Sequence, residues 1–311
     1  MVERSTADSS GSGARTSVID ERLRAFIAEE TRNAHIVDIL IDERCPSFVR
    51  HWSWPLVRPV IRKALGYRKA LKWADDIAVL PSGQDCFDYL DRALELKVSV
   101  RGADRIPSSG RSVVIANHPT GLADGPAVLS ALREVRSDVE VMANADACRI
   151  NQAFADIIVP VEWVKDKRTP AKTRETLRRT AASLAAERMM LIFPSGALAQ
   201  KVEGRLIDRP WHSTAVSLAR KNRAPVTPLH VKAQNSRLYY ALCDLNKELR
   251  DITLFHELMN KQGSTFELTF GPQIPWEQMT GDPDAVTDRL REYVENRLPD
   301  DPERPFEPAG V

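Results

Sequence analysis

Hydrophobic side chains from residue 97 onward gather in seven short runs, at 98–100, 113–116, 139–142, 157–161, 189–193, 226–231 and 266–270, in which Val, Ile, Leu, Met and Phe dominate. Runs this short, rich in aliphatic residues, predict strands. Between several of them the apolar positions recur at helical spacing instead, over 126–136, 170–188, 211–222 and 247–261, and a last such stretch at 284–298 closes the series. Strands alternating with helices predict an α/β fold: a mixed, largely parallel sheet flanked by helices, with its sites at the carboxyl ends of strands. Ahead of it, Leu23, Phe26, Ile27, Ala34, Ile39 and Leu40 predict helix over 19–43, and 84–96 reads as another short helix. The chain thus divides into a disordered tail (1–18), an N-terminal helical segment (19–96), a main domain (97–300) and a Pro-rich end (301–311) expected to fray.

Composition narrows the function. With 311 residues, 43% of them hydrophobic, the chain can bury one large core. Lys and Arg number 44 against 43 Asp and Glu, a net charge of +1, so no overall field points to nucleic acid. Cys45, Cys86, Cys148 and Cys243 show no CxxC spacing, which fits a reducing cytoplasm and neither a zinc site nor a disulfide framework. The Ser- and Gly-rich start lacks the apolar segment of a signal peptide. No apolar run reaches the roughly 20 residues of a membrane span; the nearest, 112–132, is interrupted by His118, Asp124 and two prolines. The expected location is cytoplasmic.

One stretch suggests a membrane surface nonetheless. From 44 to 74 there is no acidic residue, while Arg and Lys accumulate beside Trp52, Trp54, Tyr67 and Trp73. Rings at head-group depth with cations toward anionic lipid are the mark of an interfacial segment, and Trp52, Trp54, Arg62, Lys63 and Lys69 are the expected contacts on the inner face of the cell membrane. Pro55 and Pro59 are expected to delay a regular helix to about Val60, after which Val60, Ile61, Ala64, Leu65, Tyr67 and Leu71 form an apolar side. The same side would also serve as packing against the main domain.

The chemistry concentrates after the run at 113–116, where Asn117-His118-Pro119-Thr120-Gly121-Leu122-Ala123-Asp124-Gly125-Pro126 follows. A histidine leaves a strand end, a Gly turn follows, and an aspartate stands at the entry to a helix. If the carboxylate folds back to one ring nitrogen, the other becomes a base able to deprotonate a hydroxyl. The plainer alternative is a structural histidine and an aspartate capping a helix.

This block resembles the first motif of the glycerolipid acyltransferase superfamily, the PlsC-like lysophospholipid acyltransferases, in its hemolysin-like branch; residues 119–123 put five positions between His118 and Asp124, where most members have four. Leu191-Ile192-Phe193-Pro194-Ser195-Gly196-Ala197 is similar to the superfamily's Phe-Pro-Glu-Gly block, with Ser195 in place of the glutamate. Residues 225–229, 235–240, 249–251 and 258–261 continue the likeness, which spans about 98–274. The resemblance implies a PlsC-like fold and transfer of an acyl group from acyl carrier protein or CoA to a lipid hydroxyl, with His118 as base and Asp124 as its partner. It implies substrate contacts at Asn117, Gly121, Ser195, Gly196, Lys201 and Arg205, oxyanion donors near Gly121 or Gly196, and no metal or bound cofactor. Glycerol 3-phosphate, lysophosphatidate, other lysophospholipids and lyso-ornithine lipid are open as acceptors.

Two rivals stand beside it. Ser195 as nucleophile would make a lipase or thioesterase, although the Gly two residues before the serine of a nucleophile elbow is absent. A membrane-bound lipid-binding module without catalysis is the other. His212, His230 and His256 are scattered without ligand spacing. Arg168, Lys172, Arg174, Arg178 and Arg179 mark either a solvated helix face or a contact for phosphate or a carrier protein.

Overall fold

The computed structural model describes residues 34–162 and 168–308. The tail at 1–18 and the first part of the helix expected over 19–43 lie outside the described residues.

Each of the seven apolar runs is a strand of one sheet: β1 (Lys97–Arg101), β2 (Ser112–Ala116), β3 (Val139–Asn144), β4 (Ile158–Val161), β5 (Met189–Ile192), β8 (Val226–Lys232) and β9 (Thr265–Phe270). Their spatial order is β1-β9-β8-β2-β5-β3-β4. All neighbours run parallel except β8 and β9. The expected mixed, largely parallel sheet is therefore present. Two further strands, β6 (Gln200–Val202) and β7 (Arg205–Ile207), form a separate hairpin that the sequence reading missed, because its strands are short and largely exposed.

β2 is central and fully buried, and its side chains alternate between two cores. Val114 and Ala116 join Leu191, Leu229, Phe266, Leu268 and Phe270 on one face; Val113 and Ile115 join Met190, Ile192, Val226 and Trp211 on the other. The first face is covered by α5 (Gly83–Leu94) and α6 (Asp124–Arg133), the second by α8 (Pro170–Ala185), α9 (Thr214–Lys221) and α13 (Pro283–Glu292). Burial on both faces explains why β2 reads as an uninterrupted apolar run and not as an alternating one. The helix expected over 247–261 is two, α11 (Lys247–Ile252) and α12 (Leu254–Asn260), preceded by α10 (Arg237–Leu245). After α13 the backbone widens into a π turn, Tyr293–Arg297, marked by a 2.9 Å bond from the Leu298 N–H to the Tyr293 carbonyl. Beyond it the Pro-rich end does not fray within the described residues: Phe306 is buried against Tyr293, and Arg105 pairs with Glu303.

The N-terminal helices α1 (Ile36–Asp42), α2 (Pro46–Val49), α3 (Trp54–Ala64) and α4 (Tyr67–Ala78) pack on α11, α12 and the short α7 (Asp146–Ile150). Helix α3 starts at Trp54, earlier than its prolines suggested. Pro55 occupies the first turn, where no N–H is needed, and Pro59 is accommodated on the exposed side. The residues expected at a membrane divide accordingly. Trp54 is 6% exposed and packs with Cys45 and Ile252. Arg62 pairs with Asp38 and lies over the Tyr67 ring, and Lys69 bonds Gln262 at 2.8 Å and lies over Trp73. These three belong to the packing of this layer. Trp52 and Lys63 do face outward. Outward too are Leu56, Val57 and Val60, at 71%, 41% and 68% exposure, so the open apolar face shares Val60 with the expected one, whose Ile61, Leu65, Tyr67 and Leu71 are part-buried instead.

Candidate active site

The loops after β2, β5 and β8 meet at the carboxyl ends of those three adjacent strands. Asn117 leaves β2 first, and its carboxamide pairs with the Val231 backbone of β8, donating to the carbonyl at 2.9 Å and accepting from the N–H at 2.7 Å. Expected to touch substrate, it is instead a buried strut between two strands. His118 follows, and its ring stacks on Phe193, the first residue past β5, with centroids 4.4 Å apart. Its side chain keeps 19% exposure, while Nδ1 faces the fully buried Asp124, 3.0 Å from Oδ2. The approach is a close charge contact, off the line of an aligned hydrogen bond.

Asp124 does not cap α6 in the ordinary way. It is the first residue of that helix, and its carboxylate reaches back into the loop. Oδ2 accepts from the N–H groups of Thr120 and Gly121, both at 2.9 Å, and Oδ1 from the Thr120 hydroxyl at 2.5 Å. Gly121 is needed for the turn: φ is +86°, and a Cβ would come within 2.8 Å of the Leu198 side chain. Its N–H is committed to Asp124, and that of Gly196 to the Phe193 carbonyl at 3.1 Å. Neither glycine N–H expected as an oxyanion donor is available in this conformation.

Ser195 is buried, and its hydroxyl donates to the Ala197 carbonyl at 2.8 Å. That geometry makes it a turn residue, without the serine-to-histidine bond of a hydrolase and without a surface for substrate. Gly196 is exposed with φ of +57°, a turn position. Lys201 and Arg205 stand exposed on the β6–β7 hairpin, with Arg209 just beyond. Lys201 Nζ lies 6.0 Å from the centre of the Tyr240 ring on α10. Of the basic cluster on α8, Lys172 pairs with Glu162, Arg178 with Glu175, and Arg179 with the Ala155 carbonyl.

The residue that the sequence did not disclose is Asp208. It follows β7, is 1% exposed, and accepts the His118 backbone N–H on both oxygens at 3.0 Å. The indole N–H of Trp211 donates to Oδ2 at 2.9 Å. The His118 carbonyl is held from the same excursion, by the Ala199 N–H at 3.0 Å. Burial pushes the Asp208 carboxyl above its ordinary range, opposed by these N–H donors. An Asp-x-x-Trp spacing after the basic hairpin is the only local signal, and it does not point to a histidine 90 positions earlier.

The third loop braces the first. Asn235 donates from Nδ2 to the Thr120 carbonyl at 3.3 Å. Ser236 caps α10 and gives its N–H and hydroxyl to Glu257, at 2.8 and 2.6 Å, and Glu257 forms a buried ion pair with Lys261 at 3.1 Å. Residues quoted separately for the family resemblance, 235–240 and 258–261, thus meet in one structural lock.

An imidazole against a buried carboxylate, at the open end of a parallel sheet, with no serine or cysteine nucleophile presented to it among the described residues, is suited to taking a proton from a substrate's own hydroxyl. Comparison with known proteins gives the family. The model of the family described as "Acyltransferase" matches residues 40–297. The lyso-glycine lipid O-acyltransferase of Bacteroides thetaiotaomicron is 26% identical over 245 residues, 75% of this chain and 87% of the relative. That of Phocaeicola vulgatus is 27% identical over 199 residues, 62% and 68% of the two chains. The crystal structure of the 1-acyl-sn-glycerophosphate acyltransferase PlsC from Thermotoga maritima overlaps 80% of this chain and 99% of its own, with a TM-score of 0.46 at 15% identity. With its family model running from the N-terminal helices to the last π turn, and with the His118 and Asp124 loop at its centre, the chain belongs to the acyltransferase family.

Proposed function

We propose that this acyltransferase moves a fatty acyl group from a thioester, on acyl carrier protein or CoA, to the hydroxyl of a lyso-lipid with an anionic head group. His118 is the general base. The observation that carries the reading is the His118 ring set between the Asp124 carboxylate and the open end of the sheet. Nδ1 faces the carboxylate, so Nε2 is the nitrogen left for chemistry. As the acceptor oxygen attacks the thioester carbonyl, its proton passes to Nε2. The carbon–sulfur bond then breaks, and the departing thiolate takes that proton, which returns the base to its starting state. The imidazolium formed in between is stabilised by Asp124.

Similarity to the two bacterial lyso-glycine lipid O-acyltransferases supports a lyso-glycine lipid as the first acceptor to test. Lys201, Arg205 and Arg209, exposed beside the site and without a carboxylate partner among the described residues, support an anionic head group. For access to lipid, the open face of α3 supports peripheral membrane contact: Trp52, Leu56 and Val60 supply apolar surface, and Lys63 and Arg68 lie exposed near it. No described helix is long and apolar enough to cross a membrane.

The test is transfer by purified enzyme of a radiolabelled acyl group, offered as acyl carrier protein and as CoA thioester, to lyso-glycine lipid, lyso-ornithine lipid, lysophosphatidate and glycerol 3-phosphate. Thioester consumption that requires both an added lyso-lipid and His118 supports the reading. Consumption without any acceptor would make the enzyme a thioesterase, and none with any acceptor would leave a lipid-binding module.

A further inference from the structure

We propose that Asp208 is a positioning residue for the acyl-transfer reaction: it fixes His118 through the backbone, adds a second negative charge beneath the base, and is itself set in place by the π turn at Tyr293–Arg297. The proposal rests on His118 being the base.

Three segments far apart in sequence converge on this arrangement. The carboxylate of Asp208 meets only donors, the His118 N–H on both oxygens and the Trp211 indole N–H on one. A protonated acid would place a hydrogen against one of those donors, so the contacts select the ionised form. Asp208 itself is clamped by its main chain: its N–H donates to Glu295 Oε1 at 2.6 Å, and its carbonyl accepts from Arg291 Nη2 at 2.5 Å. Arg291 also binds Glu295 through Nε at 2.9 Å, closing a ring of three residues. Glu295 lies within the π turn, and the widened backbone there is what sets its side chain apart from the regular continuation of α13. The neighbouring Val294 carbonyl is bonded by His230 Nδ1 at 2.9 Å, which ties the π turn to β8 as well.

A base that must meet a hydroxyl within a few tenths of an ångström gains from having its main chain fixed on both sides, and His118 has its N–H on Asp208 and its C=O on Ala199. The charge matters separately. The described titratable groups in contact with His118 are Asp124 from α6 and Asp208 from the loop after β7, with Glu295 and Arg291 behind Asp208. Both carboxylates favour the protonated imidazole that forms as the acceptor oxygen attacks.

The experiment is Asp208→Asn, with steady-state kinetics on both substrates. Asparagine keeps the size and one acceptor and loses the charge. The expected result is a kcat about tenfold lower with KM for thioester and acceptor within about twofold. A wild-type kcat overturns the proposal, and so does a fall in kcat with KM raised in step, because that would mark a fold residue. Glu295→Gln, one hydrogen bond further out, is expected to lower kcat about threefold at unchanged KM, and it carries the test should Asp208→Asn not fold; a wild-type kcat there overturns the π-turn part. If His118→Ala stays active while Asp208→Asn lowers kcat at unchanged KM, it is the base assignment that fails and not the placement of Asp208.

Discussion

Thr120 grips Asp124 twice, through its backbone N–H at 2.9 Å and its hydroxyl at 2.5 Å, and so holds the carboxylate toward His118 from within the same loop. The relationship separates a catalytic partner from a helix cap. In Asp124→Asn the amide oxygen can keep the N–H groups of Thr120 and Gly121 while the NH₂ turns the Thr120 hydroxyl from donor to acceptor, so what is lost is the charged acceptor that three buried donors share, worth about 1–3 kcal/mol. A fall in kcat of at least tenfold with a lowered Tm is expected; a cap would tolerate Asn with neither change. Thr120→Val, which removes one donor and leaves the charge, should cost less in both measurements.

Removal of the base itself is predicted to be more severe and cleaner. His118→Ala should lower kcat by roughly 10²–10⁴-fold, the usual worth of a positioned general base, with a much smaller change in KM. The ring packs on Phe193 but is part-exposed, so circular dichroism and Tm should stay close to the parent.

Ser195→Ala discriminates the hydrolase alternative. The hydroxyl is buried and bonded to the Ala197 carbonyl, so its loss should cost about 0.5–1.5 kcal/mol of stability and leave kcat within about threefold. Abolished turnover in a folded variant would reinstate Ser195 as a nucleophile.

Membrane contact is predicted to follow the open face of α3. Because one large apolar side chain is worth about 1.5–3 kcal/mol on burial, Trp52→Ala with Leu56→Ser should weaken sedimentation with anionic vesicles by about tenfold or more, while activity on detergent-dispersed substrate persists. Lys63→Glu with Arg68→Glu should weaken it less and in a salt-sensitive way, at about 1 kcal/mol per charge. Arg62 is a poor choice for this test, since its partners Asp38 and Tyr67 make it part of the helical layer.

The part-buried His230 gives a stability signature. Desolvation lowers its pKa below the usual value, so the unfolded chain binds more protons than the folded one once the pH falls below about 6.5. Stability from this group is fully present above that pH and is lost as pH falls through the folded pKa. Tm should therefore decline on acidification from about pH 6.5, and His230→Gln should flatten the decline. An identical slope in both proteins would assign acid sensitivity to other groups.

The sequence by itself determined the elements of the sheet and the loop that joins His118 to Asp124. The central runs became strands because strands buried on both faces must be apolar throughout, as β2 and β5 are, while the edge strand β1 is largely exposed. His118 and Asp124 were legible because a single short loop carries both groups and the turn between them. The β6–β7 hairpin, the break of the helix expected over 247–261 and the π turn were not, since none has an apolar period to mark it. Which face of α3 points outward was likewise undecided locally. Its two apolar sides look alike in sequence, and only packing on α11 and α12 buries Trp54 and leaves Leu56 and Val60 open. Asp208 is the clearest case: a lone aspartate has no local pattern that names its partner. Its role exists only because parallel strands bring the loop after β2 under the excursion that follows β5, where a buried carboxylate has to find donors and finds the His118 N–H.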